Sequence, residues 1–93
     1  MRLTLGRCLI TPGANDRLTP ARTMQILDRH SAADWGDLDA EDKTANDRAA
    51  AGDERVLSCY AIDPDQPTSG DNCVWIITEA DRSATTILLP DEY

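Results

Sequence analysis

His30 is the sole histidine of the chain, and histidine is the one side chain whose ordinary pKa suits proton transfer near neutral pH. A ribonuclease-like site built on it would need cations to hold a phosphate and a hydroxyl to position it. Arg55, Arg82 and Thr85 are the candidates, with Ser83 and Thr86 close by in sequence. The expected role of His30 is plainer: it falls where a helix should end, and a charged imidazole there is stabilised by the negative helix end without any catalysis. The hydroxyls have a plain role too. Thr favours strands, and Asp81-Arg82-Ser83 suits a hairpin turn that leaves Arg82 in solvent.

A second constellation is acidic. Asp34, Asp37, Asp39, Glu41, Asp42 and Asp47, with Asp53 and Glu54, stand against only Lys43 and Arg48, a local net charge of -6. Carboxylates held on a helix can imitate a row of phosphates, although capping, the helix dipole and solubility each account for some of them. The whole chain has 9 Lys+Arg against 17 Asp+Glu, a net charge of -8, and a pI near 4.3. That balance disfavours direct contact with nucleic acid or an anionic membrane and favours a protein partner with a basic surface. The charge is uneven: residues 1–30 hold five arginines against two aspartates, a net of +3, whereas the remaining 63 carry -11.

No metal or cofactor motif is present. In the loop Asp63–Asp71, Asp63 and Asp65 are spaced like the first two ligands of a calcium loop, but Pro67 takes the third position and Val74 stands where the bidentate Glu belongs. Cys8, Cys59 and Cys73 lie in no metal-binding spacing. Cys59 and Cys73 flank that loop almost symmetrically, which should set them opposite each other on adjacent strands, near but reduced, with Cys8 unpaired. The first ten residues lack the apolar core of a signal peptide, and no run approaches the ~18 apolar residues of a membrane span. A reducing cytoplasm is the expected location.

The elements that must position these groups follow from pattern. Ninety-three residues, 41% hydrophobic, suit a single domain spanning 1–93. Residues 1–18 read as a short strand or an arm that stops in a turn at Thr11-Pro12-Gly13. Residues 19–52 are helical. Thr19 caps a helix from Pro20 to about Ala32, and Asp34–Leu38 breaks it, with Gly36 relieving the backbone while Trp35 closes the corner. Asp39 then caps a second, Ala-rich helix that stops at Gly52. Residues 55–93 alternate with period two, giving strands at Arg55–Ile62, Asn72–Glu79 and Ala84–Leu89 and a mobile loop at Asp63–Asp71. Cys73, Trp75 and Ile77 share one strand face, and Trp75 is expected to be buried against the helices, whereas Trp35 and Tyr60 fill out the core or, with Trp75, offer a platform for stacking bases. The expected fold is α+β: two helices packed on a three- or four-stranded antiparallel sheet ending in a β-meander.

Asp34-Trp35-Gly36-Asp37-Leu38, Leu57-Ser58 before Tyr60, the string Trp75-Ile76-Ile77-Thr78-Glu79-Ala80-Asp81-Arg82-Ser83, and Leu88-Leu89-Pro90-Asp91-Glu92-Tyr93 together resemble a family of short, uncharacterised plasmid-related proteins of bacterial plasmids and mobile elements. The resemblance covers roughly residues 11–93 and implies context rather than chemistry. Mobile elements carry small acidic inhibitors of restriction or CRISPR machinery, and also small toxins. The expected function is therefore a non-enzymatic inhibitor that binds a host nucleic-acid-handling complex through Asp34, Asp37, Asp39, Glu41, Asp42 and Asp47. Two alternatives stand beside it: a ribonuclease-like toxin using His30, Arg55, Arg82 and Thr85, and a regulatory or structural homodimer joined by an edge strand.

Overall fold

Thr11-Pro12 and Thr19-Pro20 are one signal used twice: a hydroxyl able to accept from a free backbone N–H of the first turn, then a proline whose missing N–H would have been unpaired there. In the computed structural model, which describes residues 2–93, both pairs open helices. Helix α1 spans Pro12–Arg17, with the Thr11 hydroxyl accepting from Ala14 N at 3.2 Å. Helix α2 spans Pro20–Ser31, with Thr19 accepting from Arg22 N at 3.1 Å. The expected turn at Thr11-Pro12-Gly13 is thus a helix start, continued because Ala14 finds a fully buried place in the core. Helix α3, Ala40–Ala51, begins as expected at Asp39, whose carboxylate accepts from Asp42 N at 2.8 Å, and stops at Gly52.

Four strands form one sheet in the order β1-β4-β3-β2: β1 Arg7–Ile10, β2 Val56–Tyr60, β3 Val74–Thr78 and β4 Ala84–Leu88. Strands β2, β3 and β4 make the antiparallel meander. Strand β1, however, runs parallel to β4, from Arg7 opposite Ala84 to Ile10 opposite Ile87. The sheet is mixed, which corrects the antiparallel expectation, and the described residues form three α-helices rather than two. A parallel neighbour requires a long crossover, and here everything between β1 and β4 supplies it. The α+β class holds.

The core has two parts. Ala14, Leu18 and Ile26 meet Tyr60, Val74, Ile76 and Ile87 from the sheet, while Leu3, Trp35, Ala49 and Val56 cluster beside them. Helix–sheet contact runs through these few side chains. The two tryptophans exchange their expected roles: Trp35 is 3% exposed, whereas Trp75 is half-buried on the opposite sheet face, edge-to-face with Tyr93 at 5.7 Å between centroids. Register decides this. Val74, Ile76 and Thr78 take the helix side, so the period of two sends Cys73, Trp75 and Ile77 to the other.

The two sheet edges are treated differently. Along β2, Leu57 N and O are paired by the Asn46 side chain, Cys59 N donates to Trp35 O at 3.2 Å, and Cys59 O accepts from Asp37 N at 2.8 Å. Gly36 makes this possible, since its φ of +77° is left-handed and a side chain there would collide with the Cys59 carbonyl. Along β1, Arg7 N and Thr11 N donate to β4 and its end, so Cys8 and Ile10, alternating with them, turn their N–H groups outward. The Asp63–Asp71 connection, expected to be mobile, is laced instead: the Asn72 side chain bonds Asp63, Gln66 and Pro67, and Thr68 donates to Asp37.

Candidate functional site

His30 lies in the last turn of α2 but points inward and is fully buried, which corrects its expected role as a charged cap of the helix end. Its Nδ1 meets Ser58 Oγ, and its Nε2 lies 2.8 Å from Thr78 Oγ1. Thr78 Oγ1 is 2.7 Å from Thr85 Oγ1, and Thr85 donates to Leu5 O at 2.7 Å. The end of this chain orders its protons. Leu5 O can only accept, so Thr85 must donate to it, Thr78 must donate to Thr85, and His30 must donate from Nε2. Nδ1 is then the bare nitrogen and accepts the Ser58 proton. Burial holds the imidazole pKa down at about 4, so the ring is neutral near pH 7 and gains nothing from the helix dipole.

The other residues of the nuclease-like set are dispersed. Arg82 is not solvated, as expected of a hairpin tip; it donates to Ala49 O, Gly52 O and Glu54 O and so closes the carbonyl end of α3. Its backbone, at φ 61°, makes the turn that sends it there. Arg55 sits over the Tyr93 ring at 5.4 Å and lies 3.5 Å from Glu79 on the outer sheet face. Thr85 is in the buried chain with His30, fully enclosed like it. Thus His30 and Thr85 are brought into one network, through Thr78, while Arg55 and Arg82 serve elsewhere. The sequence reasoning missed Ser58 and Thr78 as partners; their signal is a polar residue at the inward beat of an otherwise apolar strand.

The six predicted acids all lie at exposed positions on the α2–α3 corner and on α3. Four are held by the fold. Asp34 takes two bonds from Arg29, at 2.8 and 3.3 Å, which keep its carboxyl below the ordinary carboxylate range. Asp37 accepts from Thr68, Asp39 caps α3, and Asp47 accepts from the Trp35 indole at 2.9 Å. Glu41 and Asp42 have no side-chain bond among the described residues. Helix α3 itself touches the fold along a narrow seam, Asn46 and Ala49 being its buried residues.

Among the described residues no group of His, Cys, Asp and Glu is placed to hold a metal ion, and Asp63 spends an oxygen on Asp65 N at 3.0 Å. No described helix is long and apolar enough to cross a membrane. Set against known proteins, the chain matches no family model, no curated protein and no solved structure.

Proposed function

We propose that the protein is a non-enzymatic binding protein of the mobile-element kind that its sequence resembles, and that the acidic surface around α3 engages a basic surface on a host nucleic-acid-handling protein or complex, as an anti-restriction or anti-CRISPR inhibitor would. The observation behind this reading is the fixing of exposed carboxylates. Asp34, Asp37, Asp39 and Asp47 are each tied by a hydrogen bond while remaining at the surface. Charges already held in place lose less side-chain freedom when a partner docks, and Glu41 and Asp42 add two unengaged carboxylates to the same region. The nuclease-like alternative lacks such support, since a fully buried His30 and Thr85 cannot touch a polymer substrate.

The test is capture of the partner from the native host, followed by binding with the quadruple variant Asp39→Asn, Glu41→Gln, Asp42→Asn and Asp47→Asn. Asn still caps a helix, and it still accepts from the Trp35 indole, so the fold should survive. Binding is expected to weaken by about tenfold or more and to lose part of its salt sensitivity. Unchanged binding at low salt would refute the proposal. Recovery of further copies of the chain alone would favour the edge-strand dimer, and cleavage of total RNA by the purified protein would favour the toxin.

A further inference from the structure

The outer sheet face carries a pair of thiols. Cys59 and Cys73 are both reduced, 9% and 7% exposed, with their sulfurs 2.9 Å apart. They are not opposed in register as expected, for Cys59 stands opposite Trp75, and Cys73 lies one residue before β3 begins. The sulfurs converge along the diagonal instead, and a disulfide at ~2.05 Å would require them to approach by less than about 1 Å. Their surroundings differ. Cys73 lines a cleft of about 180 Å³ with Arg17, Gly70, Asp71, Leu89 and Asp91, and the exposed Gly70 and Asp91 open it to solvent. Cys59 sits behind it on β2, its backbone closed by Trp35 and Asp37.

We propose that this pair is an oxidation site for a small peroxide, with Cys73 as the sulfur the oxidant reaches and Cys59 as the sulfur that closes the disulfide. The Cys73 thiolate attacks one peroxide oxygen, the O–O bond breaks, and the departing hydroxide takes a proton to become water. Cys73 is now a sulfenic acid, its sulfur having given up two electrons. The Cys59 sulfur then attacks the Cys73 sulfur, the S–O bond breaks, and the hydroxyl leaves with the Cys59 proton as a second water. Two thiols and one peroxide thus yield one disulfide and two waters, and exchange with a dithiol reverses the change. The division of labour fits the local chemistry. The cleft, at whose rim Arg17 donates to Asp71 O, gives a small peroxide access to Cys73, whereas burial and the neighbouring Cys73 push the Cys59 thiol up to about 12 and keep it protonated until its partner is oxidised. The bond would close the neck of the connection that Asn72 laces.

The experiment uses the full chain with the exposed Cys8 replaced, Cys8→Ser, treated with hydrogen peroxide under native conditions and then alkylated. Both remaining thiols are expected to vanish together, the intact mass to fall by two hydrogens, one peptide to link Cys59 to Cys73, and dithiothreitol to restore both thiols. Adding Cys59→Ser should leave Cys73 as a sulfenic acid trapped by dimedone. The proposal is overturned if both thiols remain alkylatable after unfolding, if each is oxidised separately with no linked peptide, or if dimedone labels Cys59 in Cys73→Ser while Cys73 in Cys59→Ser stays bare. The linkage measurement retains both cysteines, so it stands even where the serine variants fold poorly.

Discussion

The two faces of the same sheet differ in a way opposite to simple hydrophobic expectation. On the helix side, Val56, Ser58, Tyr60, Val74, Ile76, Thr78 and Thr85 are fully buried, and this driest region holds the histidine, the hydroxyls of Ser58, Thr78 and Thr85, and the Tyr60 phenol. On the other side, Cys59, Ile77 and Leu88 are 4–9% exposed, while Leu57, Trp75 and Thr86 are half-buried and Tyr93 lies largely in solvent. The more polar set occupies the drier face because its members satisfy one another. No buried side-chain N or O of the described residues lacks a hydrogen-bond partner, and a closed chain of donors escapes the cost of a buried orphan. Aromatic bulk, by contrast, does not by itself mark the inner face.

Truncating each tryptophan separates the two faces most sharply. Trp35→Ala removes a nearly buried ring, its contact with the His30 ring and the indole bond to Asp47, and is expected to lower stability by ~3–5 kcal/mol, enough to unfold a domain this small. Denaturant midpoints of both variants decide the matter, and the comparison fails if Trp75→Ala is the more damaging.

Acid sharpens the same contrast through the inner face alone. The unfolded His30 takes a proton near its ordinary value of 6.5, but the folded ring resists until about 4. Between those values the unfolded chain binds the extra proton, so stability is complete above pH 6.5 and declines as pH falls toward 4, by about 3 kcal/mol in all. Urea midpoints from pH 7 to pH 4 measure it. In His30→Gln the slope between pH 6.5 and 5 should flatten, because the lowered Asp34 value acts only further down, in the carboxylate range. An unchanged slope would mean that His30 is not the group responsible.

The smallest effect belongs to the outer face. Trp75→Ala, which loses half-buried contact with Tyr93 and Leu88's neighbourhood, is expected to cost ~1–2 kcal/mol. A native-like far-UV spectrum with a modestly lowered midpoint would agree.

Much of the fold was legible. The caps at Thr19 and Asp39, the stop at Gly52, the corner at Gly36 and the three strands of the meander lie where local rules set them, because each depends on residues within a few positions of one another. Helix α1 was not: Thr11-Pro12 carries the same signal as Thr19-Pro20, but six residues are too few for a periodic pattern, and the segment reads as a turn. The site was less legible. The acids were found by charge alone, yet their holders, Arg29, Thr68 and the Trp35 indole, include groups as far as 31 residues away. The partners of His30 lie 28 and 48 positions away, beyond any spacing rule.

Local order can be read from the residues alone: where most helices and strands begin and end, that the chain is acidic with a basic start, and that Cys59 and Cys73 should be neighbours. Tertiary structure alone decided which face of each strand became the interior, that β1 would join β4 in parallel, and that Arg82 would close α3 instead of entering solvent. The reason is that caps and turns are settled by hydrogen bonds between near neighbours, whereas both strand faces here are apolar enough to be buried. The observed arrangement is one in which a helix delivers His30 to Ser58 and Thr78 and no buried side-chain N or O of the described residues lacks a partner.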